Sequence, residues 1–385
     1  MKILHLLSSD DQYGSAQCFL ELLVRETNNY KIEPVVVTPK KNKINEKCDE
    51  LNIKNYVVNY GQVQIPKHNK LFIFILKYFY NMFLYYKNKK QAINKLVSIV
   101  EKNDVNLIHT NSCTIDIGYY VANKTNLKNV WHLREFGKQD FNFYSVNFNY
   151  INCMNNDANI FISVSDSVKN AWVKRGLNSL KITTIYDGID STKFINVKEQ
   201  YKEENKISMM MCGSFCNAKN QRLLIEAIKK LDKEYRNKIK VDFYGKKEGK
   251  YYADLEKVVN KFKLNDVVFF KGYVNNIPQI LEKYNIGILC SKSEAFGRVT
   301  VEYMMAKLCT VVPNSGANLE LINDSCGMIY ESNNVESLVD VLNKIIKSEI
   351  DIYKLGDEAH KNAVNKFDIN KNIREIIAQF KKYSQ

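Results

Sequence analysis

Short apolar runs alternate with amphipathic stretches along the chain. Residues 2–7 (KILHLL), 34–38 (PVVVT), 105–110 (VNLIHT), 159–164 (NIFISV) and 181–186 (KITTIY) have the length and composition of buried strands. A second series follows at 206–212 (KISMMMC), 238–245 (KIKVDFYG), 266–272 (DVVFFKG), 286–290 (IGILC) and 309–313 (CTVVP). Stretches such as 220–231 (NQRLLIEAIKKL) lie between them and place apolar residues at helical spacing. Strands that are apolar almost throughout are covered on both faces, so the alternation predicts parallel sheets sandwiched by helices. The pattern occurs twice, and the polar, irregular stretch 187–205 separates the two halves. The expected architecture is α/β, with two Rossmann-like doubly wound domains facing a cleft and ligands at the carboxyl ends of the strands. The boundaries read as 1–187 for the first domain, 188–205 for a hinge and 206–366 for the second domain. A C-terminal helix over 367–385 is expected to pack back on the first domain.

One segment departs from this rhythm. Residues 70–96 (KLFIFILKYFYNMFLYYKNKKQAINKL) are apolar and aromatic at first, then basic. The apolar run from Leu71 to Tyr86 is interrupted by Lys77 and Asn81, and a bilayer span needs about 20 apolar residues. Two readings stand: an interfacial helix with aromatic and basic anchors, or a crossover helix packed on the first sheet.

At 385 residues the chain is long enough for two cores rather than one. The start, MKILHLLSSDDQYG, has neither a basic leader region nor a cleavage site, so no secretory signal is expected. The 9 cysteines are scattered singly, which points to reduced thiols in a cytoplasmic protein rather than to disulfides or a zinc site. The net charge of +14 favours anionic partners such as phosphorylated substrates, nucleic acid or a membrane surface. A Lys- and Asn-rich genomic bias would give the same charge with no partner at all.

Candidate chemistry clusters at strand ends. Gly14 and Ser15 follow the first strand, where backbone N–H groups could approach a phosphate or sugar before a helix starting near Ala16; a plain turn reads the same way. Neither GxGxxG nor GxxxxGK[ST] occurs, which removes the usual dinucleotide and P-loop readings. Gly213 turns the chain after the first strand of the second half, and Lys219 falls near the start of the next helix. A lysine there opposes the helix dipole, so it needs an anionic partner more than a surface lysine does. Residues 293–302 (SEAFGRVTVE) place Glu294 in a loop and Glu302 one turn into a helix that begins near Arg298. The N–H groups around Gly297, Arg298 and Val299 then form an anion site with a carboxylate on either side. A diphosphate carrying a sugar at each end suits this arrangement. So does a structural alternative, since Arg298 and Glu302 are i, i+4 partners. A glycosidase pair would instead need both carboxyl groups to face one bond.

SEAFGRVTVE resembles the E-x7-E motif of retaining glycosyltransferases of the GT-B fold, in family 4. MKILHLLSS with GSAQ, IHTNS, VWHLREFG, IYDGIDSTKF, GSFCNAKNQRLLIEAI and NSGANLELI resemble further segments of that family in the same order, over most of the chain. The resemblance implies an acceptor-side first domain and a second domain that binds a nucleotide-diphospho-sugar, of the UDP or GDP class. Glu294 would bind the donor sugar's hydroxyls and Glu302 the ribose. Backbone amides near Phe296, Gly297 and Arg298, with Lys219, would hold the diphosphate. Gly14 and Ser15 would lie opposite, His132 would approach the sugar, and Gly213 and Gly272 would line the diphosphate and base. His109, Arg134, Glu135 and Asp140 are acceptor-side candidates. Ser214 stands where the family often has arginine, which shifts weight to Lys219 and Arg222; Ser15, Lys307 and Ala317 replace common glycines. No D-x-D occurs, so no metal and no cofactor are expected. The implied reaction is sugar transfer to a glycan or lipid-linked acceptor in cell-envelope synthesis, in the cytoplasm or on the inner membrane face through residues 70–96. The alternatives are a nucleotide-sugar epimerase of the same fold, or a basic nucleic-acid-binding protein, for which no recognition motif is present.

Overall fold

The computed structural model describes residues 1–8, 14–67, 70–137, 142–194 and 206–384. The chain divides into two compact units, Met1–Gly188 with Asn370–Gln385, and Ile189–Ile369.

The first unit holds β1 (Lys2–Leu7), β2 (Glu33–Thr38), β3 (Lys54–Val57), β4 (Gln64–Pro66), β5 (Leu107–Asn111), β6 (Asn129–Leu133), β7 (Phe143–Ser145), β8 (Asn159–Ser163) and β9 (Ile182–Thr184). Seven of these form one parallel sheet in the order β3-β2-β1-β5-β6-β8-β9, while β4 and β7 pair antiparallel apart from it. The second unit holds β10 (Ile207–Cys212), β11 (Ile239–Tyr244), β12 (Val268–Gly272), β13 (Ile286–Ile288), β14 (Cys309–Pro313) and β15 (Met328–Tyr330). They form a parallel sheet in the order β12-β11-β10-β13-β14-β15. Both orders reverse direction once, at β1/β5 and at β10/β13, which is the doubly wound arrangement with its crevice beyond the carboxyl ends of the reversing strands.

The physical basis is the one the sequence suggests. β5, β6, β13 and β14 are buried at every position, because helices cover both faces of each sheet. The helix Gln221–Lys230 buries Leu223, Leu224, Ile225, Ala227 and Ile228 in the second core and turns its charged residues outward. Truncating one of its buried leucines to alanine removes about 2–5 kcal/mol. Side chains of Ser165 and Asn334 accept from Val168 N and Ser337 N, satisfying donors that helix starts leave open. The C-terminal helix Ile369–Tyr383 returns to the first unit, where Phe380 lies against His5 and His109 and Asn372 Nδ2 donates to the carbonyl of Tyr186. Residues 71–96 lie in the helix Leu71–Asn103, of which only the later half is packed into the first core, through Ala92, Ile93, Leu96 and Val100, and Lys70 is its N-cap.

Candidate active site

In the second unit the reversal at β10/β13 sets two loops side by side. β10 ends at Cys212, and the chain turns through Gly213. Asn220, with φ +53°, is the N-cap of the helix Gln221–Lys230. Lys219 therefore lies just ahead of the helix start, next to its N-cap. Its methylene stem runs along Gly213, where an added Cβ would lie 3.6 Å from Lys219 Cγ. The ammonium ends 2.5 Å from Glu294 Oε1, in the loop after β13. Burial alone lowers the Lys219 pKa; the Glu294 carboxylate more than reverses this and holds it above the usual lysine range. The anionic partner that a lysine near a helix start requires is thus a carboxylate 75 positions away. Lys292 N donates to Ala218 O at 2.9 Å and ties the two loops together.

The helix Arg298–Met305 begins just after Glu294, with Gly297 as N-cap at φ +91°. A glycine adopts this left-handed conformation without a Cβ penalty, and it has no side chain to satisfy the first-turn N–H groups. The helix is fixed from below by Tyr303, fully buried, whose hydroxyl accepts from Cys212 N at 2.8 Å. Glu302 sits one turn in and accepts from Arg298 Nε at 3.2 Å. Both glutamates are thus paired with a cation, one across the strand switch and one along the helix. The arrangement can bind an anion at the positive end of a helix dipole beside Lys219, with two carboxylates available as acceptors for hydroxyls.

Sequence reasoning missed what holds Glu294. The loop after β14 brings Gly316, at φ +59°, against the Glu294 backbone. A Cβ there would lie 2.5 Å from Glu294 O and 2.6 Å from Glu294 N, and Ala317 N donates to Glu294 O at 2.9 Å. The signal available was the glycine of NSGAN just beyond a strand end.

The other expected residues each have their own local setting. Arg222 is more than half exposed and bonds Glu226 along its own helix at 2.7 Å. The Phe296 side chain is buried against Phe367, which leaves only its backbone for a ligand. Gly272 ends β12 at φ +91°, and its carbonyl accepts from Gly245 N at 3.0 Å. Gly14 and Ser15 open the first unit's helix Gly14–Tyr30.

The first unit's candidates lie on β5, on β6 and just after β6. His109 on β5 and His132 on β6 are fully buried, with rings 5.7 Å apart. His109 Nδ1 lies 2.9 Å from Nδ1 of His5 on β1, whose Nε2 is 3.2 Å from the buried Glu26 carboxylate. Burial first, and then neighbouring positive charge including Arg134, holds both His109 and His132 well below the usual histidine pKa, so they stay neutral. Arg134 is buried, with Nη1 on both carboxylate oxygens of Asp187 (2.9 and 3.0 Å) and Nε on Asn111 at 2.7 Å. Glu135 accepts from Ser112 Oγ and Cys113 N, bracing the loop after β5. Asp140 lies outside the described residues.

Comparison with known proteins bears on the fold and family likeness. Residues 192–366 match the family model described as glycosyl transferases group 1. An uncharacterized glycosyltransferase of Methanocaldococcus jannaschii is 23% identical over 293 residues, 72% of this chain and 76% of that protein. A capsular polysaccharide biosynthesis glycosyltransferase of Staphylococcus aureus is 23% identical over 236 residues, 59% of this chain and 64% of its own length. Among solved structures, the Anabaena protein HepE in complex with UDP superposes with a TM-score of 0.80 at 18% identity, covering 99% of this chain and 100% of that one. The same protein with UDP-glucose gives 0.78 at 18% identity, covering 99% and 100%. At that identity the likeness is one of fold, and the fold is GT-B.

Proposed function

We propose that this chain, a glycosyltransferase that belongs to the glycosyl transferases group 1 family through residues 192–366, transfers a sugar from a nucleotide-diphospho-sugar to a glycan or lipid-linked acceptor of the cell envelope. The observation that carries the reading is the Lys219–Glu294 pair at the β10/β13 switch point, beside the start of the helix Arg298–Met305. The donor's diphosphate occupies the positive end of that helix and takes the Lys219 ammonium. Glu294, released from Lys219, accepts hydrogen bonds from the sugar hydroxyls, and Glu302 from the ribose. As the sugar–phosphate bond breaks, negative charge grows on the leaving diphosphate. Fixed backbone dipoles and Lys219 stabilise that charge with little reorganisation, the term that contributes most in such sites.

The donor class draws support from the UDP and UDP-glucose bound by the Anabaena protein, and the acceptor class from the capsular relative. Because Lys219 and the helix supply positive charge themselves, we further propose that transfer is metal-independent; the resemblance of SEAFGRVTVE to the E-x7-E motif is the ground for proposing that it retains the anomeric configuration.

A thermal-shift screen of UDP- and GDP-sugars tests the donor. A donor at 100 times its Kd stabilises the native chain by about 2.7 kcal/mol. With that donor, Lys219→Ala and Glu294→Ala are expected to lower turnover about 100- to 1,000-fold, as removing a charge-stabilising donor does elsewhere. Turnover unchanged in both variants would refute the assignment. Proton NMR of the product reports the anomeric configuration, and also separates transfer from epimerisation of the donor, which needs no acceptor.

A further inference from the structure

We propose that the N-terminal half of the helix Leu71–Asn103 is a membrane-docking face that lies flat on an anionic lipid bilayer. The first four turns of this helix are largely unpartnered. Leu71, Phe72, Leu76, Phe79, Tyr80 and Phe83 are 56–73% exposed, and Ile75 and Tyr86 are 41% and 52% exposed. At 100° per residue these eight positions cover roughly half the helix circumference, one continuous stripe rather than scattered singles. The packed positions, from Tyr78 and Tyr85 to Ala92 and Leu96, lie on the other side. Tyr144, also exposed, extends the apolar surface, with its ring 5.0 Å from Phe74. A stripe of this size marks an interaction site.

Charge selects the occupant. Residues 51–100 contain eight lysines and no aspartate or glutamate. Lys67, Lys70, Lys77, Lys87 and Lys90 are exposed around the stripe. Lys87 and Lys90 continue its line one to two turns beyond Phe83, and Lys87 reaches over the Phe83 ring at 5.7 Å. A second copy of the chain would bring the same lysines face to face, since a twofold contact pairs identical patches, and no acidic side chain in this stretch could offset them. A bilayer with anionic headgroups meets both halves of the surface: aromatic and leucine side chains enter the interfacial layer, and the lysines reach the phosphates. Among the described residues no helix is long and apolar enough to cross a membrane, so the helix lies in the plane of the interface. Lys89 is not part of this surface, because its ammonium is held by Tyr85 Oη at 2.6 Å.

The full chain is mixed with sucrose-loaded vesicles of phosphatidylcholine alone, or of phosphatidylcholine with phosphatidylglycerol, and sedimented at low and high salt. No donor or acceptor is involved, so the outcome is independent of the proposed reaction. Binding to the phosphatidylglycerol vesicles is expected, at least tenfold weaker on phosphatidylcholine or at high salt. Phe79→Ser with Phe83→Ser, and separately Lys87→Glu with Lys90→Glu, should each reduce it at least tenfold. These positions are exposed, so melting temperatures should match the parent chain. Absence of binding to the anionic vesicles, or unchanged binding in both variants, overturns the proposal. So does concentration-dependent dimerisation in analytical ultracentrifugation that the Phe79/Phe83 variant abolishes, which would assign the face to a second copy.

Discussion

Gly316→Ala places a methyl group where the structure has a backbone. The new Cβ would lie 2.5 Å from Glu294 O and 2.6 Å from Glu294 N, below the 3.0 Å that real Cβ atoms respect. Neither contact is the far end of a flexible side chain, so the Glu294 loop has to move by about half an ångström or more. The substitution also carries the cost of a left-handed φ in a non-glycine residue, about 1–2 kcal/mol. Gly249, at φ +87°, has nothing within 4 Å of its Cβ position, so Gly249→Ala carries the backbone cost without the clash. Functional groups need placement within about 0.5 Å, and a displacement of about 1 Å costs about 100-fold in rate. Gly316→Ala is therefore expected to lower kcat/KM about 10- to 100-fold, equivalent to about 1.4–2.7 kcal/mol of transition-state stabilisation. Gly249→Ala should keep the parental rate while losing a few degrees of melting temperature. Both variants would be melted with and without donor, and then assayed for transfer. If Gly316→Ala and Gly249→Ala show the same activity, the argument that Gly316 positions Glu294 is wrong.

Three further expectations follow from the same geometry. Tyr303→Phe removes the acceptor of the Cys212 N–H and should destabilise the second unit by about 1–3 kcal/mol in urea unfolding, with the helix Arg298–Met305 less well seated and donor affinity reduced. Asp187→Ala strands the buried Arg134 guanidinium without its carboxylate and should cost about 3–5 kcal/mol, visible as a lower denaturation midpoint. His109 and His132 stay neutral in the fold, whereas in the unfolded chain they take up protons below about pH 6.5. The unfolded state then binds more protons, so their contribution is fully present above that pH and is lost as pH falls. The limiting slope is about 2.7 kcal/mol per pH unit for the pair. Urea midpoints at pH 7.5 and 5.5 check this, with His132→Gln expected to halve the histidine part of the difference.

Most of the fold was legible from the chain alone. A strand buried on both faces has to be apolar along its length, so β1, β2, β5, β8, β10, β11, β13 and β14 all announce themselves locally, and so do the edge strands β9 and β12. β3 and β15 are edge strands, and β4 and β7 form a separate pair of three residues each. Short strands, or strands with one open side, need no such apolar run, and none of these four stands out in the pattern. The placement of Glu294 in a loop and Glu302 on a helix was also local information, carried by the glycine before Arg298 and the apolar spacing after it.

Partner choice was not local. Arg222 has a glutamate four residues on, and the two pair along one helix. Lys219 has no such neighbour; its counter-ion arrives from the far side of a strand reversal, and only the order of strands in the sheet brings the two loops together. The same holds for Gly316. Composition marked it as a turn residue, but the reason no side chain fits is the Glu294 backbone lying against it. The sequence by itself thus determined most of the strands, the repeated doubly wound pattern and the residue types available for binding phosphate and hydroxyls. The tertiary structure alone decided which of them meet, because a parallel sheet sets side by side strand ends that are far apart along the chain.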